Sequence, residues 1–433
     1  MAQHIISKAL RYAYMHGWLY RRIEGIHRRR IAAIRRRGGD DPVKVVFFAM
    51  SVSMWRYQHL YDLMSRDDRF LVHIVLSPSI DYALEQQQRD VDDLRTYFAE
   101  HGTPYVDCDL KHPVDVKSQF NPDIVFYPQP YEHLLTPAHD CTAFYDRLVC
   151  YYPYAFWTSK GKWSYDFHFH NLAWRLYYST RLHLKEAQNT AWNKGRNVRV
   201  VGYPNADDFL ARQFNDAVWK PMADGKGRKR IIWAPHYSIT PEFGLVARSQ
   251  FLTMAEPMLQ MARGLNDEIQ VAFKPHPRLL TELYRHPDWG RERADNYYRQ
   301  WAEGENTQLE TGGFIDLFMT SDAMVHDSGS FAVEYHYSLN PVMFTSPDLE
   351  PLLQTQSEFG RTAYKLHYLG RDMAEVEHFI RDVVIAGHDT MRSWREWFFN
   401  EHLLPPGGNN VAQNTLDDLV YSLFTEPLSD YED

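Results

Sequence analysis

Cysteine is scarce in this chain. Cys108, Cys141 and Cys150 are the three among 433 residues. Three thiols without a C-x-x-C spacing form neither a disulfide framework nor a zinc ribbon, and they read as reduced thiols of a reducing compartment. Long apolar runs are also missing. No stretch approaches the roughly 18 residues of a membrane-spanning helix, and the N-terminus lacks an apolar core followed by a small-residue cleavage site. A cytoplasmic location is expected. No histidines and carboxylates stand at metal-ligand spacing. "RDDR" (Arg66–Arg69) and "NADD" (Asn205–Asp208) read as a solvated loop and a helix start rather than an acidic metal pair. Neither a metal nor a cofactor is expected.

What is present is ordinary in amount and uneven in placement. Hydrophobic residues make up 44% and charged residues 24%, as in soluble globular proteins, and the length predicts two or three domains. The net charge of −9 conceals an asymmetry. Residues 1–40 carry nine arginines and Lys8 against Glu24 and Asp40, a net +8, which leaves −17 for the rest. A basic segment on an acidic body points to a membrane surface or another polyanion. The body shows no basic face, so no nucleic-acid partner is expected. Tyr12, Met15, Leu19, Ile23 and Ile26 recur at helical spacing, flanked by Arg11, Arg21, Arg22, Arg28, Arg29 and Arg30. Such a stripe suits a helix lying in the headgroup layer of an anionic membrane. The alternative is a helix packing its stripe on the first domain or on another subunit of a homo-oligomer.

From Lys44 onward, apolar runs alternate with polar periodic stretches. Val45–Met50, Leu71–Leu76, Ile124–Tyr127, Leu148–Tyr152 and Val198–Val201 read as buried parallel strands, and Tyr82–His101 as a helix. The pattern pauses at Asn215–Arg230, where Pro221, Gly225, Gly227 and a basic cluster read as a linker. A second set follows: Ile231–Ala234, Ile269–Phe273, Thr307–Leu309, Ala323–His326 and Val342–Phe344. The expectation is an α/β protein with two doubly wound parallel sheets. Its segments are a basic N-terminal helix at 1–40, a first domain at 41–215, a linker at 216–230, a second domain at 231–385 and a helical tail at 386–433. Ligands of such folds bind at the carboxyl ends of strands, here in a cleft between domains.

Three strand ends carry polar clusters. After Ala323–His326 comes Asp327-Ser328-Gly329-Ser330 at the mouth of a helix. Unpaired N–H groups there suit a phosphate, with two hydroxyls beside them and Glu334 placed one turn further on for a ribose diol. A plain helix cap by Ser328 or Ser330 is the alternative. In "VAFKPHPRLL" (Val271–Leu280), Pro275 and Pro277 favour extended backbone, which would put Lys274, His276 and Arg278 on one side, facing a pyrophosphate. The alternative is a proline-stiffened surface loop. "IIWAPHYS" (Ile231–Ser238) repeats the device with His236 and Ser238. Gly202-Tyr203-Pro204 reads as a turn between domains, and His101-Gly102-Thr103-Pro104 as a helix C-terminus with Gly102 beyond its last turn.

Taken in order, Gly202-Tyr203-Pro204, Trp233-Ala234-Pro235, Lys274-Pro275-His276-Pro277 and the run from Asp316 through Ser321-Asp322 to His326–Ser330 resemble the CDP-glycerol glycerophosphotransferases. This family includes the teichoic-acid polymerases and primases. The resemblance covers about residues 145–345 and implies a GT-B fold. It implies a CDP-polyol donor, a glycan or lipid-linked hydroxyl acceptor and release of CMP; the basic stripe of residues 1–40 would hold such an enzyme at the inner face of the cell membrane. It places the donor on Lys274, Arg278, Asp327, Ser328, Gly329, Ser330 and Glu334, with His276 and His236 in catalytic positions. The family's His-Gly-Thr-Pro-Leu-Lys loop is absent; "VCYYPYAFWTSKG" (Val149–Gly161) stands in its place. Tyr152 and Tyr154, with His168 and His170, are the base candidates there. Sugar transfer by another GT-B enzyme stays open. "HDSGSFAVEY" also resembles the Asp-Ser-Gly-Gly junction of UDP-N-acetylglucosamine 2-epimerases, but the epimerase loop after the first strand is replaced by "SVSMWRYQ" (Ser51–Gln58).

Overall fold

The computed structural model describes residues 2–38, 41–210, 213–240 and 249–427, with side chains of the first helix from Gly17 onward. The chain divides into two compact units. One comprises Met1–Ala155, Gly161–Asp207 and Pro405–Asp433, the other Phe156–Lys160 and Asp208–Leu404. Each is built on a six-stranded, all-parallel sheet, and the fold is GT-B-like.

In the first unit the strands are β1 (Val43–Ala49), β2 (Phe70–Leu76), β3 (Ile124–Tyr127), β4 (Leu148–Tyr151), β5 (Arg175–Tyr178) and β6 (Val198–Val200). Their order is β2-β1-β3-β4-β5-β6. β1, β3 and β4 are apolar along almost their whole length because helices cover both faces. Phe47 stacks on Phe126 at 4.6 Å in the centre of this core. The helix Leu84–Glu100 ends as its sequence predicts: Gly102 takes φ +61°, and the Thr103 N–H donates to the Phe98 carbonyl at 2.9 Å.

β5 is absent from the sequence-based strands, and Arg175 explains why. An arginine at the start of a four-residue run does not read as core. Here it is 2% exposed and pairs with Asp418 (3.5 Å) and Glu426 (2.9 Å), from the helix Val411–Phe424 and the turn after it. Burial of a guanidinium is tolerated because the carboxylates meet it there. The C-terminal segment is thus a structural part of the first unit.

The helix Ala2–Arg37 is integral to this unit over its second half. Ile23, Ile31 and Ile34 are buried, as is His27. Arg37 pairs with Asp123 at 2.6 Å, Arg30 donates to the Asp146 carbonyl, and Arg35 donates to the carbonyls of Ser422, Leu423 and Glu426. The side chains of Tyr12 and Met15 lie outside the described residues. Leu19 and Ile26 of the stripe are half-buried, and Arg21, Arg22 and Arg29 are exposed.

The second unit holds β7 (Lys229–Ala234), β8 (Ile269–Phe273), β9 (Thr307–Leu309), β10 (Ala323–His326), β11 (Val342–Thr345) and β12 (Tyr368–Gly370), in the order β12-β11-β10-β7-β8-β9. Trp233, Phe251, Phe273 and Trp301 stack under one face with centroid separations of 5.0 to 5.7 Å. Residues 216–230, read as a linker, run along this unit: Trp219 donates from Nε1 to Thr320 (2.9 Å), and the Lys220 N–H donates to Gln308 (2.8 Å). β12 escaped the sequence reading because Tyr-Leu-Gly holds no β-branched residue and ends in glycine, which is depleted in strands. The short segment Phe156–Lys160 also belongs here, with Ser159 bridged to Gln356 and the Ser357 N–H donating to Thr158 at 2.8 Å.

Gly202 of the Gly-Tyr-Pro turn has φ +112°, and a Cβ there would lie 2.7 Å from Val411 Cγ2 and 3.1 Å from Pro405 Cβ. Glycine is required both for the backbone angle and for the approach of the C-terminal segment. Gly202→Ala is expected to cost about 2–4 kcal/mol from strain and overpacking together, read as a lower denaturation midpoint. An unchanged midpoint would contradict this account.

Candidate functional site

β10, β7 and β8 are adjacent and parallel, and their ends are level: His326 pairs with Ala234, and Trp233 with Phe273. All three polar clusters therefore leave the sheet at one edge. They are also joined directly. The His236 N–H donates to Asp327 Oδ1 at 2.6 Å, and the His276 N–H donates to the Pro235 carbonyl at 3.0 Å. The rings of His236 and His276 meet edge to face at 5.0 Å.

Tyr237 packs among them. Its ring lies 4.2 Å from that of His236 and 4.5 Å from that of His276, and the Arg278 guanidinium sits 4.2 Å above it. Arg278 also reaches Glu282 at 3.3 Å while its side chain remains 57% exposed, so the cation is presented to solvent. No sequence signal tied Tyr237 to Arg278, which lies 41 positions away; strand order brings them together.

The histidines are neutral at physiological pH. Burial draws His236 down to about 4, aided by His276 and Arg278 beside it, and burial with Arg278 draws His276 down to about 4 as well. His276 Nδ1 accepts the Arg278 N–H at 3.1 Å, and His236 Nδ1 accepts the Ser238 N–H at 3.3 Å. An acceptor Nδ1 on a neutral ring leaves the proton on Nε2. Each ring is thus a hydrogen-bond donor rather than a cation.

Beneath the 327–330 turn lies a buried histidine chain. The Ser328 N–H donates to His326 Nδ1 (3.2 Å), His326 Nε2 faces His367 Nε2 (3.1 Å), and His367 Nδ1 meets the Ala363 carbonyl (3.0 Å). These partners assign a proton to His326 Nε2 and to His367 Nδ1. The chain holds the turn on the side toward β11.

Several expectations are corrected. Lys274 is not presented to solvent as Arg278 is. It is 7% exposed and its Nζ donates to the Gly312 carbonyl at 2.7 Å, with burial lowering it to about 8. The extended run stops because Arg278 already has helical backbone angles and starts the helix Leu279–Arg285. Asp327 accepts three hydrogen bonds from protein donors, and burial pushes it up to about 6. Gly329 and Ser330 are exposed and Ser328 is buried. The helix they open, Phe331–Glu334, is one turn long, and Ser330 forms no side-chain cap. Glu334 is buried within that turn.

In the first unit Tyr152 is a core residue. It is 2% exposed, stacks on Tyr57 at 5.1 Å and donates its hydroxyl to Thr415. Burial pushes it well above the usual tyrosine range, as it also raises Tyr154, which disfavours either phenolate as a base. His170 is buried and lowered to about 3, while His168 is exposed near Glu132 at 3.8 Å. Among the described residues, no three His, Cys, Asp or Glu side chains gather as a metal-binding group.

A family profile described as CDP-Glycerol:Poly(glycerophosphate) glycerophosphotransferase matches residues 159–381, more than half of the chain and all three strand ends of this site. The chain belongs to this family. It is an enzyme of the glycerophosphotransferase type. No curated protein sequence matches it. Among solved structures, a variant of the wall teichoic acid polymerase TagF is similar at 11% identity, covering 95% of this chain and 97% of that one, with a TM-score of 0.58. MnaA of S. aureus, solved with UDP, is similar at 14% identity, 89% and 98% coverage and a TM-score of 0.57. A UDP-GlcNAc 2-epimerase from Neisseria meningitidis gives 13%, 88%, 100% and 0.53. At these identities the likeness establishes the fold alone.

The shifted groups set an acid response. His236, His276 and His367 titrate near 4 in this glycerophosphotransferase but near 6.5 when unfolded, so between those values the unfolded chain binds more protons and stability falls as pH falls. Asp327, raised from 3.8 to about 6, acts oppositely over a similar interval. Three histidines outweigh one carboxylate. The unfolding temperature is expected to drop between pH 6.5 and 4, and a flat or rising profile in calorimetry would contradict these assignments.

Proposed function

We propose that the enzyme transfers a glycerol-phosphate unit, or a similar polyol phosphate, from a CDP-activated donor to a hydroxyl of a glycan or lipid-linked acceptor and releases CMP. The observation that carries this reading is the direct joining of the three strand ends: His236, His276, Arg278 and the 328–330 turn share one sheet edge inside the matched family region. In such a transfer the acceptor oxygen attacks the phosphorus bearing the polyol, and the bond to the CMP oxygen breaks. Charge grows on non-bridging and leaving oxygens, so fixed donors and a cation contribute most. Arg278 supplies the cation, and the two Nε2–H groups supply neutral donors that need no proton uptake to act. The exposed Gly329–Ser330 turn takes the remaining phosphate oxygens.

The test is transfer and thermal-shift binding with CDP-glycerol, CDP-ribitol, CMP and UDP-N-acetylglucosamine. CDP-linked compounds are expected to stabilise the protein and to be turned over. Stabilisation by the UDP-sugar alone would favour an isomerase instead. His276→Ala is expected to slow turnover on the order of 100-fold in a folded protein, and near-normal turnover would reject the role of this histidine.

The same reading includes attachment to an anionic membrane surface, where a lipid-linked acceptor would be met. No helix among the described residues is long and apolar enough to cross a membrane. Support comes from the helix Ala2–Arg37, where Arg21, Arg22 and Arg29 are exposed and Trp18 is 50% exposed with the Arg22 guanidinium 5.3 Å over its ring. Deleting residues 1–40 would also strip Ile31, Ile34 and Arg37 from the fold, so charge reversal is the cleaner probe. Each basic group contributes about 1 kcal/mol at such a surface. R21E/R22E/R29E is therefore expected to weaken co-sedimentation with anionic liposomes at least about 100-fold. Unchanged sedimentation would end the membrane claim.

A further inference from the structure

Asp327 differs from the rest of the cluster in how fully its side chain is engaged. Oδ1 accepts the His236 N–H at 2.6 Å. Oδ2 accepts the Ser249 hydroxyl at 2.7 Å and the Gln250 N–H at 2.8 Å. The donors come from two elements, the turn after β7 and the residues that lead into the helix Phe251–Gly264. The Ser249 N–H in turn donates to the Ser238 carbonyl at 2.9 Å, so both segments close on this one carboxylate. No ion pair reaches it among the described residues.

A carboxylate offers about four acceptor positions, and three are taken here by protein donors. A negative group with both oxygens occupied is also a poor neighbour for a pyrophosphate, which it repels. Its position makes sense through what it holds. His236 is fixed at its N–H by Asp327, and its Nδ1 lies against Ser238 Oγ at 2.8 Å. The preceding residue, Pro235, accepts the His276 N–H. Any shift of the 235–236 backbone therefore moves both imidazoles.

We infer that Asp327 is a positioning residue for the transfer reaction: it does not touch the donor, and its two oxygens set the backbone at His236 so that the His236 and His276 Nε2–H groups act together. This rests on the glycerophosphotransferase reading. The sequence pattern alone points the other way, since an acid beside two serines at a strand end reads as part of the ligand site.

Asp327→Asn probes the claim because it preserves size and removes one acceptor. Whichever way the amide turns, its NH2 faces a backbone N–H, that of His236 or that of Gln250, and one arm of the clamp opens. Turnover at saturating donor should slow at least about tenfold, while KM for CDP-glycerol changes less than about threefold. Combined with His236→Ala, it should add less than it costs alone, because the part of its effect that runs through the His236 ring is already lost and only the part through His276 remains. Ser249→Ala removes a single donor, leaves both amides bound and should fold, with a smaller loss of turnover. It keeps the test intact if Asp327→Asn does not fold. Histidine-selective 15N spectra give a substrate-free reading: the ring signals of His236 and His276 should shift in the Asp327 variant, or in Ser249→Ala should the former not fold. A raised KM at unchanged kcat, losses that multiply in the double variant, or unmoved ring signals would each overturn the inference. If the wild-type protein neither binds nor turns over a CDP-linked donor while those ring signals still move, the functional reading falls and the positioning of the two rings by Asp327 stands.

Discussion

The polar edge of the second unit is tied together by one hydrogen bond, that from the His236 N–H to the Asp327 carboxylate. Parallel pairing brings neighbouring strand ends to one edge about 4.8 Å apart, but it does not dictate how the segments beyond them run. β7 lies between β10 and β8, so its turn is the natural point at which the other two are joined. The Asp327 contact fixes that turn from one side, and the His276 N–H on Pro235 fixes it from the other. Tyr237, the two imidazoles and Arg278 then have a common frame to pack in.

Charge is used sparingly at this edge. Of the groups that a sequence reader would count as cations, His236 and His276 are neutral and Lys274 is committed to a backbone carbonyl. Arg278 alone is presented to solvent, flat against the Tyr237 ring. Neutral donors suit a phosphoryl-transfer site in one respect: they stay donors throughout the physiological pH range. They also avoid piling like charges against Arg278 before a ligand arrives.

In the first unit four arginines serve the fold. Arg175 and Arg199 share Asp418 and Glu426, and Arg35 and Arg37 end the first helix on carbonyls and on Asp123. These contacts bind residues from both ends of the chain to one sheet. The basic N-terminal helix accordingly has two characters. Its later arginines are partly consumed by the fold, whereas Arg21, Arg22 and Arg29 are exposed.

How much was legible follows from the physics of each signal. Buried parallel strands are nearly continuous apolar runs, so ten of the twelve strands stood out. β5 and β12 did not, one opening on a charge and the other, Tyr-Leu-Gly, lacking a β-branched residue and ending in glycine. The polar residues at strand ends were also visible, since such residues directly after a buried run are conspicuous. Their directions were not. Whether Lys274 faces a ligand or a carbonyl, whether Asp327 binds a donor or holds a backbone, and whether Tyr152 is a base or core all depend on partners far off in sequence: Gly312, Ser249 and Thr415. Local pattern determined the elements, their parallel class and the positions of the chemistry-bearing residues, because periodicity and backbone restriction act between near neighbours. Burial, protonation and hydrogen-bond partnership were decided only by the tertiary structure, because desolvation and contact depend on which distant segments pack against a group.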